Sequence, residues 1–497
     1  MAFDCTRRHF FFGSLLAGAV PTGGFGRTAS LRALGYKSPN EKLNIASIGA
    51  GGKASSDIDG CATENIVALC DVDDKQAAKK YQQFEQTPKY KDFRKMLDKE
   101  KSIDAVIVAI PDFMHATAAS WCMERGKHVF VQKPLTRTIW EARMLQDLAN
   151  RYKVATQMGN QGYSNEGTRQ AAEMVWAGEI GNVTEVHAWT NRPIWPQGLT
   201  AIPAPDAVPP TLDWDLWLGV APSRPYTSGG NGYPTEYGNF YQPFNWRGFY
   251  DFGCGALGDM ACHILGAPNL ALRLGAPTGV ECVSQEGTSD FMFPKKSVIR
   301  FDFPARGNMP ALKLFWYDGM KETPEIPGVP KGELLGDLPS RRQPEGQPRA
   351  PRPRTGFIGQ VFDWAAFDAI RQDPETRAPW PNGSVFIGDK GVLTTGTYGE
   401  QTRLVPMDLM KDYKFPPELL TRSPGHYRDW IRAAKGGDPG CSNFSIAAPF
   451  TEWILLGTIA LRFPGKLEWD SAKMRITNNA EANKYIRPAF RKGWSLT

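Results

Sequence analysis

The sequence predicts an α/β protein whose first domain is a doubly wound parallel sheet. Over residues 43–158, short apolar runs alternate with segments of helical periodicity, which is the pattern of βαβ units. The rhythm then changes, and residues 183–190 alternate as a strand with one buried face does. We therefore expect a parallel-sheet domain over 41–160 and a second domain over 161–497.

The first apolar run leads into a glycine turn with the spacing G-x-G-x-x-A, formed by Gly49, Gly51 and Ala54. Gly49 permits a tight turn, Gly51 lets the backbone approach a diphosphate, and the small Ala54 lets the next helix pack on the strand. Gly52 and Lys53 lie in the same turn, where the free N–H groups of a helix start bind anions. This spacing predicts a binding site for the pyrophosphate of a dinucleotide.

A second buried strand ends in Asp71, about twenty residues after the glycine turn. A carboxylate at this position can accept hydrogen bonds from both hydroxyls of the adenosine ribose, and it repels a 2′-phosphate. The alternative is a turn residue at a strand end, with Asp73 and Asp74 continuing the turn. Together with the glycine turn, Asp71 predicts NAD as the cofactor in preference to NADP.

Composition excludes several other classes. The chain has 497 residues and a formal net charge of +6, and no block of Lys and Arg suggests a nucleic-acid-binding surface. Its eight cysteines form no C-x-x-C pair, so neither a zinc ribbon nor a thioredoxin-type site is indicated. Asp259 and His263 have a spacing that can bind a metal, but a third ligand is not evident, and we expect none.

The N-terminus resembles a twin-arginine export signal. Arg7 and Arg8 precede an apolar run over residues 12–20 that is too short to span a membrane. We expect residues 1–40 to be signal and linker and the protein to work in the periplasm without a membrane span. The alternative is an ordinary basic N-terminus.

Two further strands end in residues that suit a ligand site. The strand over 103–110 is followed by Pro111 and His115, and the strand over 127–131 is followed by Lys133. Ligands bind at the carboxyl ends of strands in open α/β sheets. We therefore expect these residues near the bound ligand.

Residues 191–250 are rich in Pro, Trp, Tyr and Gly and are too long for a simple connection. We expect them to form a wall of the binding site. Their tryptophans could stack on sugar faces or could equally form loop cores: Trp195, Trp214, Trp217 and Trp246. Further on, we expect an excursion over 323–355 and an amphipathic helix over 449–463.

Taken together, the motifs resemble those of the glucose–fructose oxidoreductase / inositol dehydrogenase / MocA superfamily, and most closely its secreted bacterial members with a twin-arginine leader. The matching residues extend from about residue 41 to 494: the turn at 49–54, Asp71, the corner from Pro111 to His115, Lys133-Pro134, Gly159-Asn160-Gln161, Asp259 to His263, and the hairpin at 387–391.

This resemblance implies a Rossmann domain followed by an α/β domain with a large, mostly antiparallel sheet. In the family the open face of that sheet often makes the oligomer contact, so we expect a homo-oligomer, a dimer or a tetramer. The family usually has Glu before the Lys-Pro pair. This chain has Gln132, which changes the local charge.

The same resemblance points to Lys133, His263 and Asp259 as catalytic residues. His263 is a suitable base, because an imidazole titrates near neutral pH. Asp259, one helical turn earlier, could orient the imidazole or bind a second hydroxyl. Lys133 can stabilise negative charge on the reacting oxygen. The alternatives are a core histidine, a helix cap and a surface lysine.

The remaining candidate residues are expected in the pocket. We expect His115 and Gln161 to line the cofactor or substrate site. Substrate contacts are predicted for the catalytic residues and for three residues of the long loop: Lys133, Asp259, His263, Arg192, Trp195 and Gln197.

Three hypotheses of function follow. The first is an NAD(H)-dependent oxidoreductase acting on a sugar, polyol or glycoside, with a cofactor that stays bound through turnover because free NAD is scarce outside the cytoplasm. The second is a glycoside-cleaving enzyme that oxidises, eliminates and re-reduces without net use of NAD. The third is a non-catalytic sugar- or nucleotide-binding protein.

Overall fold

A computed structural model describes residues 41–229, 238–338 and 382–496. The expected export signal and linker lie outside the described residues, as do residues 339–355 of the expected excursion. Within the described ranges no helix combines the length and the apolar character needed to cross a bilayer.

The first sheet has six parallel strands in the order β3-β2-β1-β4-β5-β6. This order is that of the doubly wound dinucleotide-binding fold, in which ligands bind where the strand order reverses, here between β1 and β4. The strands are β1 (Asn44–Ile48), β2 (Asn65–Cys70), β3 (Lys89–Tyr90), β4 (Ala105–Val108), β5 (His128–Val131) and β6 (Thr156–Met158).

Five helices connect these strands: α1 (Gly52–Gly60), α2 (Asp74–Gln83), α3 (Phe93–Lys99), α4 (Asp112–Glu124) and α5 (Ile139–Tyr152). Local sequence explains their starts. The Asp73 and Asp92 carboxylates accept hydrogen bonds from the first turns of α2 and α3. Thr138 and Glu141 form a capping box at α5. The predicted parallel sheet is confirmed.

The second domain begins with α6 (Glu166–Trp176) and is built on a nine-stranded sheet, ordered β13-β12-β11-β7-β10-β9-β8-β14-β15. Among the described strands of this second sheet, β7 and β10 form the one parallel pair. The strands are β7 (Val183–Trp189), β8 (Gly279–Glu286), β9 (Lys296–Phe303), β10 (Leu312–Asp318), β11 (Gly383–Gly388), β12 (Val392–Thr395), β13 (Arg403–Val405), β14 (Lys466–Asp470) and β15 (Arg475–Ile476). The large, mostly antiparallel sheet implied by the resemblance is therefore present.

The other helices of this domain are α7 (Trp214–Leu218), α8 (Gly255–Ile264), α9 (Gly266–Ala271), α10 (His426–Ala434) and α11 (Phe444–Ala460). Helix α8 packs against β10 and against α11, and all of its residues are buried. A buried helix at this junction holds its side chains rigidly.

The prediction of an amphipathic helix over 449–463 was wrong. Helix α11 begins at Phe444 and is buried on nearly all sides, because it packs against α5 of the first domain as well as α8 and the second sheet. Pro449 lies inside the helix rather than at its start. An apolar face all round is typical of a helix enclosed between layers.

Helix α10 lies within the sequence of the second domain but packs on the first sheet. Its Trp430 lies with Ile45 and Phe130 in one apolar cluster, and the rings of Phe130 and Trp430 are 5.6 Å apart. The chain therefore closes the first domain with residues that come about 270 positions after its last strand.

Candidate active site

A cavity of about 660 Å³ extends along the carboxyl edge of the first sheet. Its size is that of a cofactor or small-molecule site. The first domain contributes the glycine turn, the ends of β2, β4 and β5, and the start of α3. The second domain contributes α8 and the loop over 242–247, and the C-terminal tail contributes Trp494.

The glycine turn has the strained conformation that its sequence predicts. Gly49 has a φ of +96°, and a Cβ there would collide with the carbonyl oxygen of Ala109. Gly52 has a φ of +49°, and a Cβ there would meet nothing within 4 Å, so this part of the turn faces open space. At Gly51 a Cβ would collide with Gln76 of α2. Gly51 therefore also permits close packing of the protein on itself, a reason that the motif alone did not suggest.

Asp71 follows β2 and faces the same cavity. Its carboxylate accepts hydrogen bonds from the backbone N–H groups of Ala50 at 2.8 Å, Gly51 at 3.3 Å and Asp73 at 3.0 Å. Burial raises the pKa of Asp71, and these N–H groups oppose that effect. The side chain is thus fixed at the end of the strand by the glycine turn itself.

Gln132 has a partner that explains its departure from the family pattern. Its amide donates to the Asp57 carboxylate at 2.8 Å, and Asp57 also accepts from Tyr427 of α10 at 2.7 Å and from Lys53. Asp57 and Gln132 are both buried, and burial raises the pKa of Asp57. A glutamate at position 132 would place a second carboxylate against this buried one, whereas an amide can donate to it.

Lys133 and Asp259 meet although the sequence separates them by 126 positions. The Lys133 ammonium donates to the Asp259 carboxylate at 2.7 Å and to its backbone carbonyl at 2.9 Å. Arg247 donates to the same carboxylate oxygen at 3.0 Å. Burial alone would raise the pKa of Asp259, but the two cations outweigh it and hold that pKa well below its ordinary range.

His263 lies on α8 one turn after Asp259 and lines the cavity. Its ring is 4.8 Å from the Tyr398 ring in an edge-to-face contact. Its Nδ1 atom is buried and has no hydrogen-bond partner among the described residues. Burial, aided by the Lys133 charge, lowers the pKa of His263 well below 6.5, so the imidazole is neutral at neutral pH. The Asp259 carboxylate is directed to Lys133 and Arg247 rather than to this imidazole.

Asp112 and Arg247 are two charged residues of the site that were not among the sequence candidates. Asp112, at the start of α4, is 4% exposed and lines the cavity, and burial raises its pKa to about 7. Its position after a strand end was a usable signal. Arg247 lies over the rings of Phe244 and Trp246 at 4.0 and 4.3 Å. It occupies a loop without a motif, and only the tertiary fold brings it to Asp259.

The structure places His115, predicted to line the pocket, outside the lining of the cavity formed by the described residues. The side chain is fully buried, and its ring nitrogens lie 2.7 Å from the Ile110 carbonyl and 2.8 Å from the Pro134 carbonyl. Burial lowers its pKa to about 4. His115 therefore links the ends of β4 and β5 beneath the cavity.

Trp195 and Gln197 also differ from the prediction of substrate contact. The Trp195 indole N–H donates to Gln197 at 3.0 Å, and the Gln197 amide donates to the Pro294 carbonyl at 2.5 Å. Both side chains are buried in the loop and lie outside the lining of the cavity formed by described residues. Their polar groups are engaged in these hydrogen bonds, so neither side chain contacts the cavity where a substrate would lie.

The other candidates divide in the same way. Trp217 and Trp246 line the cavity, whereas Trp214 stacks on Trp217 at 4.7 Å and donates to the Arg224 carbonyl. The remaining cavity-lining candidates are Gly49, Gly51, Gly52, Lys53, Pro111, Lys133, Gln161, Arg192 and Asp259. The long loop thus forms a wall of the site, with only some of its aromatic residues facing inward.

Comparison with protein families matches two segments. Residues 43–160 match the model described as "Oxidoreductase family, NAD-binding Rossmann fold". Residues 174–283 match the model described as "Oxidoreductase family, C-terminal alpha/beta domain".

Curated relatives match shorter parts. A glycosyl hydrolase family 109 protein of Solibacter usitatus is 29% identical over 183 residues, which cover 34% of this chain and 41% of that protein. A glucose-6-phosphate 3-dehydrogenase of Bacillus subtilis is 30% identical over 118 residues, covering 23% of this chain and 33% of that protein. The matched stretches thus span less than half the length of either relative.

Among solved structures, the WlbA dehydrogenase from Bordetella pertussis in complex with NADH and UDP-GlcNAcA has the same fold. It superposes with a TM-score of 0.54 at 11% identity, covering 86% of this chain and 99% of that chain. The two matched segments, residues 43–160 and 174–283, are therefore domains of the glucose–fructose oxidoreductase / inositol dehydrogenase / MocA oxidoreductase family.

Proposed function

We propose that this chain is an NAD-dependent oxidoreductase that transfers a hydride between the nicotinamide and a hydroxyl-bearing carbon of a sugar, polyol or glycoside. One observation carries the proposal. The Lys133 ammonium and the imidazole of His263 line one cavity with the glycine turn and Asp71, although they come from different domains.

The residues along this cavity fit NAD. The open space beside Gly52 and the start of α1 can receive a pyrophosphate. The Asp71 carboxylate is fixed by three N–H donors and keeps lone pairs for ribose hydroxyls. At the same end, the Lys91 ammonium contacts the Thr211 carbonyl and Asp74. These contacts engage a cation that could otherwise bind the 2′-phosphate of NADP, which supports NAD as the cofactor.

The nicotinamide, when bound, accepts or returns a hydride. The residues of the chain manage the proton and the charge. Neutral His263, which lines the cavity, accepts the proton from the substrate hydroxyl. Lys133, oriented by Asp259, donates a hydrogen bond to the same oxygen as negative charge develops there. Asp259 therefore positions Lys133 and is not itself the base.

The test begins with the purified protein. Bound nucleotide is identified by mass spectrometry after denaturation, and a panel of sugars, polyols and aryl glycosides is then offered with added NAD. NADH formed in proportion to oxidised sugar supports the proposal. Absence of nucleotide binding and of turnover with every compound would contradict it.

A redox-neutral glycoside cleavage on the same site is the second candidate. It is favoured by the similarity to a glycosyl hydrolase family 109 protein. Such a reaction also needs a second proton acceptor to remove the proton beside the oxidised carbon, and the site contains a suitable group. Asp112 offers one, because its carboxyl has a pKa near 7 in the same cavity. Release of an aglycone without net NADH, lost in an Asp112→Asn variant, would favour this candidate over the first.

The non-catalytic alternative predicts a different result. A Lys133→Ala variant would then match the parent in every turnover assay while both bind nucleotide. Loss of turnover with retained nucleotide binding would exclude that alternative.

We also propose export through the twin-arginine signal, a cofactor that stays bound through turnover, and a homo-oligomer. Cell fractionation of the parent and of an Arg7→Lys/Arg8→Lys variant tests the first. Nucleotide remaining after extensive dialysis tests the second, and light scattering on the purified protein tests the third.

A further inference from the structure

The C-terminal tail, residues 486–496, crosses back over the first domain. The Ile486 carbonyl accepts from the Trp140 backbone at 3.0 Å. Arg491 donates from its backbone N–H to the Val220 carbonyl at 3.0 Å and from its side chain to the Gly219 carbonyl at 2.8 Å. Near the end of the tail, the Ser120 hydroxyl donates to the carbonyl of Leu496, which is 4% exposed. The tail is therefore fixed on both sides of residue 494.

Between these anchors, Trp494 enters the lining of the cavity. Its ring lies 6.3 Å from that of Phe93, and the Arg94 guanidinium lies 4.3 Å from its centre. Arg94 is itself held by two hydrogen bonds to the Asp92 carboxylate, at 2.9 and 2.8 Å. A cation held over the indole in this way fixes the ring at the edge of the cavity.

Trp494 belongs to the same end of the cavity as Asp71. The Asp71 backbone N–H donates to the Tyr90 carbonyl at 3.0 Å, which places the end of β2 beside the turn that leads to Phe93. The rings of Trp494 and Phe93 meet where that turn ends, and both residues line the cavity. If Asp71 binds the adenosine ribose, as the proposed function holds, the base attached to that ribose lies beside this aromatic pair.

We propose that Trp494 forms a wall of the adenine subsite, so that the C-terminal tail holds the nucleotide in place. The inference rests on the proposed function. Indole is suited to the role because a purine presents a flat π face, and stacking of a base on an aromatic side chain strengthens binding roughly 5- to 150-fold. The tail then contributes to retention of the cofactor between turnovers.

The experiment compares Trp494→Ala, Trp494→Phe and a matched control, Trp140→Ala, with the parent. Trp140 carries a tail guanidinium, that of Arg487, at 4.2 Å from its ring, but it is not among the residues that line the cavity. The readouts are the dissociation constant of ADP-ribose, the rate at which bound NADH leaves when excess ADP-ribose is added, and the thermal midpoint without ligand.

For Trp494→Ala we expect ADP-ribose to bind roughly 5- to 150-fold more weakly and NADH to leave faster by a similar factor. Trp494→Phe should recover most of the loss, and Trp140→Ala should bind as the parent does. Equal binding by the parent and Trp494→Ala would overturn the inference alone. An equal loss in Trp140→Ala would also overturn it, because the tail would then act only through stability. A parent that binds no ADP-ribose would overturn the proposed function together with the inference.

Discussion

Replacing Gln132 with glutamate tests the interaction between the Gln132 amide and the buried Asp57 carboxylate beneath the glycine turn. The substitution exchanges an amide that donates to Asp57 at 2.8 Å for a carboxylate at the same distance. The charge of a carboxylate is shared by its two oxygens, so the centres of the two charges would lie about 4 Å apart. At that separation they repel by about 4 kcal/mol at an effective dielectric constant of about 20. Both side chains are buried, so solvent screens little of this.

The folded variant can lower that cost by keeping one of the two carboxyls protonated. Burial already raises the pKa of Asp57, which makes proton uptake easier there. Each factor of ten in proton affinity corresponds to about 1.4 kcal/mol, so holding a carboxyl with an ordinary pKa of about 4.3 protonated at about pH 7 costs about 4 kcal/mol, and less at Asp57. We therefore expect Gln132→Glu to lower the free energy of unfolding by about 2–3 kcal/mol at neutral pH.

The pH dependence identifies the cause. The shared proton raises a carboxyl pKa in the folded state, so the loss is small near pH 4.5 and grows as pH rises through the raised value. Urea midpoints followed by tryptophan fluorescence at about pH 4.5 and 7 measure it. Asp57→Asn combined with Gln132→Glu restores one amide and one carboxylate and should recover most of the stability at neutral pH. A loss that is equal at both pH values, or a double variant no better than the single one, would refute the reasoning.

Three further outcomes follow from the site. His263→Gln should lower kcat/KM by about 100- to 10,000-fold, the usual effect of losing a general base. The parent should keep its activity below pH 6.5, because the pKa of His263 is lowered. Profiles of kcat/KM against pH for both proteins test this, and a variant with the parent's activity would show that His263 is not the base. Asp71→Ser should weaken NAD binding and reduce the preference for NAD over NADP, since the 2′-phosphate of NADP no longer meets a carboxylate. Titration with each nucleotide gives the ratio of the two dissociation constants, and an unchanged ratio would show that other residues set the preference. Asp112→Asn should stabilise the protein at about pH 8 by up to about 4 kcal/mol and have little effect at about pH 4. Burial raises the pKa of this carboxyl from 3.8 to about 7, so the parent loses stability as pH rises through that value. Equal urea midpoints of parent and variant at the higher pH would contradict the burial argument.

The first domain could be predicted from sequence because its signals are local. A glycine turn that follows an apolar strand, with an acid at the end of the next strand, encodes a conformation that a few neighbouring residues determine. Gly49 shows this, since the spacing predicts a tight turn there and its φ is +96°. The same holds for Lys133, which the end of a strand placed correctly at the cavity.

Residues whose roles depend on distant partners could not be predicted in this way. Trp195 and Gln197 were expected at the substrate because their types suit sugars, yet they bond to each other and to the Pro294 carbonyl. Arg247 was missed because nothing near it in sequence signals that it shares a carboxylate with Lys133. Trp494 reaches the cavity only because the tail folds back over the first domain. In each case the deciding contact joins segments far apart in the chain.

The central claim is that a nicotinamide nucleotide lies in this cavity with its reactive ring served by Lys133 and His263. A single-turnover experiment tests it most directly: protein saturated with NAD is mixed with an active sugar from the panel, and NADH is followed by its near-ultraviolet absorbance. The account predicts one equivalent of NADH per site for the parent, and almost none for Lys133→Ala and His263→Gln variants that bind NAD as tightly as the parent does. Hydride transfer at the parental rate in both variants would contradict it.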